Sequence, residues 1–265
     1  MTKTSLTDNE FVRYSRQIML PNWQEQGQLT LSSATVLIIG CGGLGNGVAS
    51  YLAGAGVGHL ILVDNDHVAL SNLPRQLAFD LDSIENSKVY ALANRLREQN
   101  DLIDVTPISK MFSSINAENL LKGCDLVIDC SDNFSTRYLI NRQCVAHHIA
   151  LLSGSVIGWQ GQLLLVDPNN HDAGCYQCVF GVEPDQNRES AHSCASSGVS
   201  GPMVGVVSSF QANEALRYLL NVSSQLVHSF CLINGETLAM NLLKRTRQHD
   251  CAVCSTHLGE SDDNN

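Results

Sequence analysis

Residues 35–45, TVLIIGCGGLG, constrain the fold of this chain more than any other stretch. A β-branched apolar run ends in Gly40 and passes directly into Gly42, Gly43 and Gly45, followed by small residues that predict a helix from about Leu44 to Ala55. Glycines at these spacings permit a tight strand-to-helix turn. They also let backbone N–H groups approach an anion at the helix N-terminus, where the dipole favours negative charge. The next apolar run, HLILVD (59–64), ends in Asp64, placed to hydrogen-bond a ribose hydroxyl. Strand, turn, helix and acid together predict a nucleotide site; a turn packed only for structural reasons is the alternative.

The runs at 35–40 and 59–64 are apolar throughout, the pattern of parallel strands covered on both faces. Val89, Leu92, Ala93 and Leu96 fall on one stripe of a helix over 85–99. DVTPIS (104–109) and DLVIDC (125–130) predict a third and fourth strand, and 133–148 another helix. This alternation predicts an α/β doubly wound, mainly parallel sheet. After residue 150 the texture changes. Residues 150–156 and 158–168 predict a strand pair, Pro202 opens a long apolar helix to about Leu220, and 229–235 with 236–243 predict a late antiparallel pair. Upstream, Thr7 and Glu10 form a capping-box start for a helix over 7–19. The expected organisation is one domain over 1–255: a helical segment at 1–30, a nucleotide-binding half at 31–150 and a second half at 151–255. The tail 256–265 is expected to be disordered.

The segment from Asp64 to Gln76 carries Asp66, Asn72 and Arg75, and Lys88 opens the next helix. Cations fixed beside a glycine turn suit a triphosphate better than a dinucleotide. Asp132 and Asn133 follow the fourth strand, at the sheet edge where ligands bind in open α/β folds, and a carboxylate there fits Mg²⁺ shared with phosphates. Solvated surface charges at Arg75 and Lys88, and an N-cap role for Asp132, are the alternatives. Grouped on one edge, these residues favour ATP.

The chain has 265 residues and a formal net charge of −10, which argues against broad nucleic-acid or anionic-membrane binding. No leader-like segment and no membrane-length apolar run are evident, so a cytoplasmic location is expected. Ten cysteines in a reducing compartment must then serve metal, catalysis or burial. Cys175–Cys178 and Cys251–Cys254 are two C-x₂-C pairs, the two knuckles a tetrahedral zinc site needs; redox pairs are the alternative. Cys194 stands in a polar loop near Arg188 and His192, a setting that exposes a thiol and favours its thiolate, or else leaves it without a role. Cys41, Cys124, Cys130, Cys144 and Cys231 read as small buried hydrophobes.

RYSRQI (13–18), GCGGLG (40–45), YLAGAGVG (51–58), SNLPRQ (71–76), DCSDN (129–133), GCYQC (174–178), GPMVGV (201–206) and CAVC (251–254) occur in order. Over roughly residues 5–255 the chain resembles the ThiF/MoeB/HesA branch of the ubiquitin-activating-enzyme superfamily, with a Rossmann-like fold. The resemblance implies MgATP-dependent adenylation of the C-terminal Gly-Gly carboxylate of a small ubiquitin-like sulfur-carrier protein, with release of pyrophosphate. It implies that Asp64 holds the ribose, Arg75 and Lys88 the phosphates, that Asn72 helps place the triphosphate, and that Asp132 binds Mg²⁺. Arg16 matches an arginine that reaches into the neighbouring subunit's site, which implies a homodimer. AGAGVG, RYSRQI and GPMVGV look closer to the thiamine-pathway members, which act on the carrier ThiS, than to the molybdopterin-pathway members. Cys194 aligns with a cysteine that links to the carrier in the thiamine branch, although the other branch carries one there too. With no rhodanese segment, a separate sulfur donor of cysteine desulfurase or rhodanese type is expected. Departures are Cys41 in the glycine turn, Pro74 in SNLPRQ and the polar loop 183–197. Adenylation of a peptide, an NAD-dependent oxidoreductase and a non-catalytic zinc scaffold stand as alternatives.

Overall fold

The computed structural model describes residues 4–170, 172–184 and 198–255. Two helices, α1 (Asp8–Ile18) and α2 (Gln24–Ser33), precede β1 (Thr35–Ile39). Then follow α3 (Gly43–Ala55), β2 (His59–Val63), α4 (Lys88–Gln99), β3 (Asp104–Ile108), α5 (Ala117–Leu121), β4 (Leu126–Asp129) and α6 (Phe134–Ala146). The second half contributes β5 (Leu151–Ile157), β6 (Gln160–Val166), α7 (Tyr176–Phe180), α8 (Gly201–Leu219), β7 (Ser229–Asn234) and β8 (Ala239–Lys244).

All eight strands form one sheet in the order β3-β2-β1-β4-β5-β6-β7-β8. The pairs from β3 through β5 are parallel, with Val36 opposite both Leu60 and Leu126; those from β5 to β8 are antiparallel. The order reverses between β1 and β4, so a crevice opens at their C-terminal ends.

Because side chains alternate across a strand, β1 feeds two cores. Val36 and Ile38 join Val48 and Leu52 of α3, Leu92 and Leu96 of α4, and Val207 of α8 on one face. Leu37 and Ile39 join Leu121, Tyr138 and Ile140 on the other, where Cys175, Cys178 and Cys251 also lie. Full burial of each such Leu or Ile is worth about 1.5–3 kcal/mol, so the central strands are held from both sides.

The capping box at α1 forms as expected: Glu10 N donates to Thr7 Oγ1 at 3.3 Å and Thr7 N to the Glu10 carboxylate at 2.9 Å. Two boundaries differ from expectation by three residues. The helix expected over 85–99 begins only at Lys88, because Glu85 has φ +67 in a turn after a short 3-10 segment at Leu81–Ser83. The last strand begins at Ala239 rather than 236, after a turn in which Leu238 has φ +57. The five cysteines expected to be buried are buried. The expected tail lies outside the described residues.

Candidate nucleotide and metal sites

The glycine turn closes the end of β1 against the end of β4. Gly40 has φ +92, and a Cβ there would lie 2.7 Å from Cys130 O; a Cβ on Gly45 would lie 1.9 Å from Gly40 O. Only bare backbone fits at either place. Gly42 is the N-cap of α3 and supplies no side chain to its first turn. In front of this turn lies a cleft of about 580 Å³. Gly40, Gly42, Gly43, Asp64, Asp66, Asn72, Arg75, Gln76, Lys88, Asp132 and Asn133 all line it. Gly45, the one residue of the sequence-derived nucleotide set that does not, serves the packing of α3 on the turn.

The charged groups are held in distinct ways. The Asp64 carboxylate accepts from Cys41 N at 2.7 Å and from Asp66 N at 2.8 Å, which ties β2 to the glycine turn. Lys88 is buried, and its Nζ donates to Asp66 at 2.9 Å. Arg75 Nη1 donates to Ser71 O at 2.9 Å, and Asn72 Oδ1 accepts from Ala69 N at 3.0 Å. Gln76 is only 2% exposed, and its Oε1 has no hydrogen-bond partner among the described residues. A buried amide oxygen without a partner, beside a glycine cradle, is an acceptor left for a ligand. Asp132 is exposed at the mouth, and Asn133, not Asp132, is the N-cap of α6, accepting from Thr136 N at 2.9 Å. The carboxylate of Asp132 is therefore not engaged as the helix cap.

Sequence reasoning missed four contributors. Lys110, Met111 and Phe112 line the cleft from an irregular segment after β3 that carries no motif. Arg137 lines it from α6 and is buried, donating to Ser131 O and to Gly154 O at 3.1 Å, with Nη1 3.9 Å from Asp129. Asp129 is itself buried and accepts from Ser131 Oγ at 2.6 Å and Ser153 Oγ at 2.7 Å, while Gln211 Nε2 donates to Asp129 O at 3.0 Å. This network fixes the β4–α6 turn that presents Asp132.

Arg16 lies elsewhere. Arg13 Nη1 donates to Asn100 Oδ1 at 2.8 Å, Asn100 Nδ2 to the buried Tyr14 Oη at 2.9 Å, and Gln17 Nε2 to Ala55 O at 2.7 Å. These contacts latch one face of α1 to the C-terminal ends of α3 and α4. Arg16 is left exposed on α1, and it does not line the cleft of its own chain.

On the far face of the sheet, Cys175, Cys178, Cys251 and Cys254 bring four sulfurs within 4.8 Å of one another. Cys175 and Cys251 are 3.7 Å apart, and Cys178 and Cys254 3.5 Å. Asn141 Nδ2 donates to Cys175 Sγ at 3.5 Å and Gln248 N to Cys178 Sγ at 3.4 Å, donors that steady thiolate ligands from outside the cluster. Hydrogen bonds from Cys175 and Cys254 hold the Cys178 thiol well below its usual range. Four sulfur ligands in this arrangement are compatible with tetrahedral zinc. Cys194, with Arg188 and His192, lies outside the described residues. A second cleft, of about 660 Å³, opens at the opposite end of the sheet beside Asp125, Asp167 and Tyr218; it contains neither glycine turn nor cation.

The ThiF family profile matches residues 14–253. The chain is 39% identical over 249 residues to the sulfur carrier protein ThiS adenylyltransferase of Escherichia coli (strain K12), covering 94% of this chain and 97% of that protein. It is 39% identical over 258 residues to the adenylyltransferase and sulfurtransferase MOCS3 of Xenopus laevis, covering 96% of this chain and 56% of that protein. It thus spans little more than half the length of the MOCS3 relatives it matches. Among solved structures, E. coli MccB with ATP is similar at a TM-score of 0.78 and 26% identity, over 91% of this chain and 74% of that one.

Proposed function

We propose that this chain, which belongs to the ThiF family, uses MgATP to adenylate the C-terminal carboxylate of a small ubiquitin-like sulfur-carrier protein. The observation that carries the reading is the cleft at the strand-order reversal, where the glycine turn meets Asp64, Arg75, Lys88 and Asp132. The names of both relatives, adenylyltransferases of which one is matched over nearly its whole length, support it.

Asp64, immediately after β2, is assigned the ribose. Lys88, Arg75 and Asn72 take the phosphates, and Asp132 supplies the carboxylate for Mg²⁺ brought in with the nucleotide. The carrier's terminal carboxylate needs no general base, because it is already a nucleophile at neutral pH. One of its oxygens attacks the α-phosphorus and pyrophosphate leaves. The residues contribute by orientation and by offsetting the charge that develops on the phosphates. Arg16, exposed on α1, is assigned to the site of a second copy in a homodimer. Cys194 is retained as the candidate covalent partner of the carrier, and the four clustered cysteines as a structural zinc site.

The thiamine-pathway carrier is the favoured substrate, on the resemblance of AGAGVG, RYSRQI and GPMVGV to that branch. Carrier-dependent ATP–pyrophosphate exchange tests both levels. Exchange with a thiamine-type carrier alone is expected; exchange with a molybdopterin-type carrier alone moves the pathway and keeps the chemistry. No exchange with either removes carrier adenylation and turns attention to a peptide substrate.

A further inference from the structure

Arg245, immediately after β8, is 7% exposed and carries a guanidinium that meets only main-chain oxygens among the described residues. Nη1 donates to Ala173 O at 3.0 Å and to Gly174 O at 2.6 Å. Nη2 donates to Leu165 O, to Leu226 O at 3.3 Å and to Val227 O at 2.9 Å. Nε is buried without a partner, and no carboxylate lies within ion-pair range among the described residues. Carbonyl dipoles solvate a buried cation only in part, and an uncompensated charge in the interior is costly. The position calls for a negative charge that does not come from a bonded acid.

The four sulfurs are where such charge would reside. Ala173 and Gly174, which Arg245 grips, lead directly into Cys175. Gly174 has φ +75, and a Cβ there would lie 3.0 Å from Cys178 Sγ, so this loop runs against the cluster. Arg247 N donates to Asp172 O at 2.9 Å, which joins the chain leading to the second cysteine pair to the chain leading to the first. Burial pulls the Arg245 guanidinium down to about 10, the direction expected of a cation taken out of water. A divalent ion bound by four thiolates leaves two net negative charges in a largely buried place. Without a counter-charge, that centre and Arg245 would each be penalised; joined through the Ala173–Gly174 loop, they offset one another.

We propose that Arg245 is the buried counter-charge of the four-cysteine metal site and positions its first pair of ligands through the Ala173 and Gly174 carbonyls. The proposal rests on the zinc reading of the cysteines given above. It makes Arg245 a positioning residue, coupled reciprocally to metal: the bound ion stabilises the arginine, and the arginine tightens the ion.

The test uses the full chain as wild type, Arg245→Lys and Arg245→Met, with Zn²⁺ affinity measured by competition against a chromogenic chelator and thermal midpoints recorded with and without Zn²⁺. Arg245→Met is expected to weaken Zn²⁺ binding at least about tenfold, the usual scale for loss of an outer-sphere partner, while Arg245→Lys stays within about threefold of wild type. Arg245→Met should also lower the midpoint of the loaded protein more than that of the metal-free protein. Unchanged affinity in Arg245→Met, or equal loss in both variants, overturns the proposal. Should Arg245→Met fail to fold, Arg245→Gln, which keeps hydrogen-bond donors and removes the charge, takes its place: a loss of about tenfold or more beside near-wild-type affinity in Arg245→Lys supports the counter-charge, and unchanged affinity in Arg245→Gln overturns it. A wild-type chain that takes up no Zn²⁺ removes the metal reading and this inference together. Tight wild-type binding left unchanged by Arg245→Met removes the inference alone.

Discussion

Lys88 Nζ lies 2.9 Å from Asp66 Oδ2, the lysine side chain 8% exposed and the aspartate 63%. A buried ammonium is therefore held at the cleft wall by a solvated carboxylate. Arriving phosphate oxygens can share or take over that contact with little rearrangement of the lysine. Lys88→Ala should weaken ATP binding by about 1.5–3 kcal/mol, the usual size of a hydrogen bond to a charged group, or roughly 10- to 150-fold. Nucleotide titration by calorimetry reads it, and unchanged affinity would remove Lys88 from the site.

Asp132 and its neighbour should separate chemistry from stability. Asp132 is exposed and does not cap α6, so Asp132→Ala is expected to abolish carrier-dependent exchange while shifting stability by no more than about 0.5 kcal/mol. Asn133→Ala removes the N-cap that accepts from Thr136 N and should cost about 1 kcal/mol. Denaturant midpoints and exchange rates on the two variants check this, and full activity in Asp132→Ala would sink the assignment.

Gly45→Ala places a methyl group 1.9 Å from Gly40 O, in a turn with no room to move. We expect a stability loss of about 1–3 kcal/mol from overpacking and loss of nucleotide binding with it. Equilibrium denaturation of the variant, beside its ATP titration, is the measurement; wild-type behaviour in both would mean the turn is looser than its geometry shows.

Each chain should carry one zinc. Elemental analysis reads the stoichiometry, and with free metal a hundredfold above its dissociation constant, linkage adds about 2.7 kcal/mol of stability that a chelator removes. Thiols must lose protons to bind, so uptake should strengthen as pH rises from about 6 to 8. A metal-free chain with undiminished stability would contradict the site.

Burial pushes the Cys41, Cys130 and Cys144 thiols well above their usual range. These three should resist iodoacetamide at pH 8 in the folded protein and react once denaturant is added, because the thiolate is the nucleophile. Peptide mass spectrometry resolves them individually. Native labelling at the rate of a free thiol would refute their burial.

The parts of this fold that were legible in the sequence are those whose signal is local. The uniformly apolar runs of β1, β2 and β4, the glycine turn, the Thr7–Glu10 box and Pro202 at the start of α8 each announce their structure within a few residues. The helices α2 and α7 carry no such signal. Gln24 opens α2 at φ +53 with no side-chain cap, and α7 lies inside the first cysteine knuckle. The site divides in the same way. Arg75 and Asp132 sit in motifs, Asp64 ends an apolar run and Lys88 opens a periodic helix, whereas Lys110 and Phe112 reach the cleft only because the sheet brings the end of β3 beside β2. The buried Asp129, Arg137 and Gln211 network is invisible for a related reason: each partner comes from a different element, and the separations reflect topology rather than periodicity.

Helix α4 joins two proposed composite sites, the one in its own chain and the one that Arg16 of the same chain completes in a second copy. Its first residue, Lys88, stands in the cleft, and Asn100, one residue past its end, holds the Tyr14 hydroxyl of the helix that carries Arg16. An α-helix turns by about 100° and advances by about 1.5 Å with each residue. Inserting or deleting a single residue within α4 would therefore swing either Lys88 out of the cleft or Asn100 away from Tyr14, even with every side chain named here retained. The length of α4 is a ruler, and in any variant library built on this chain it should tolerate substitutions on its exposed face far better than any change in residue count.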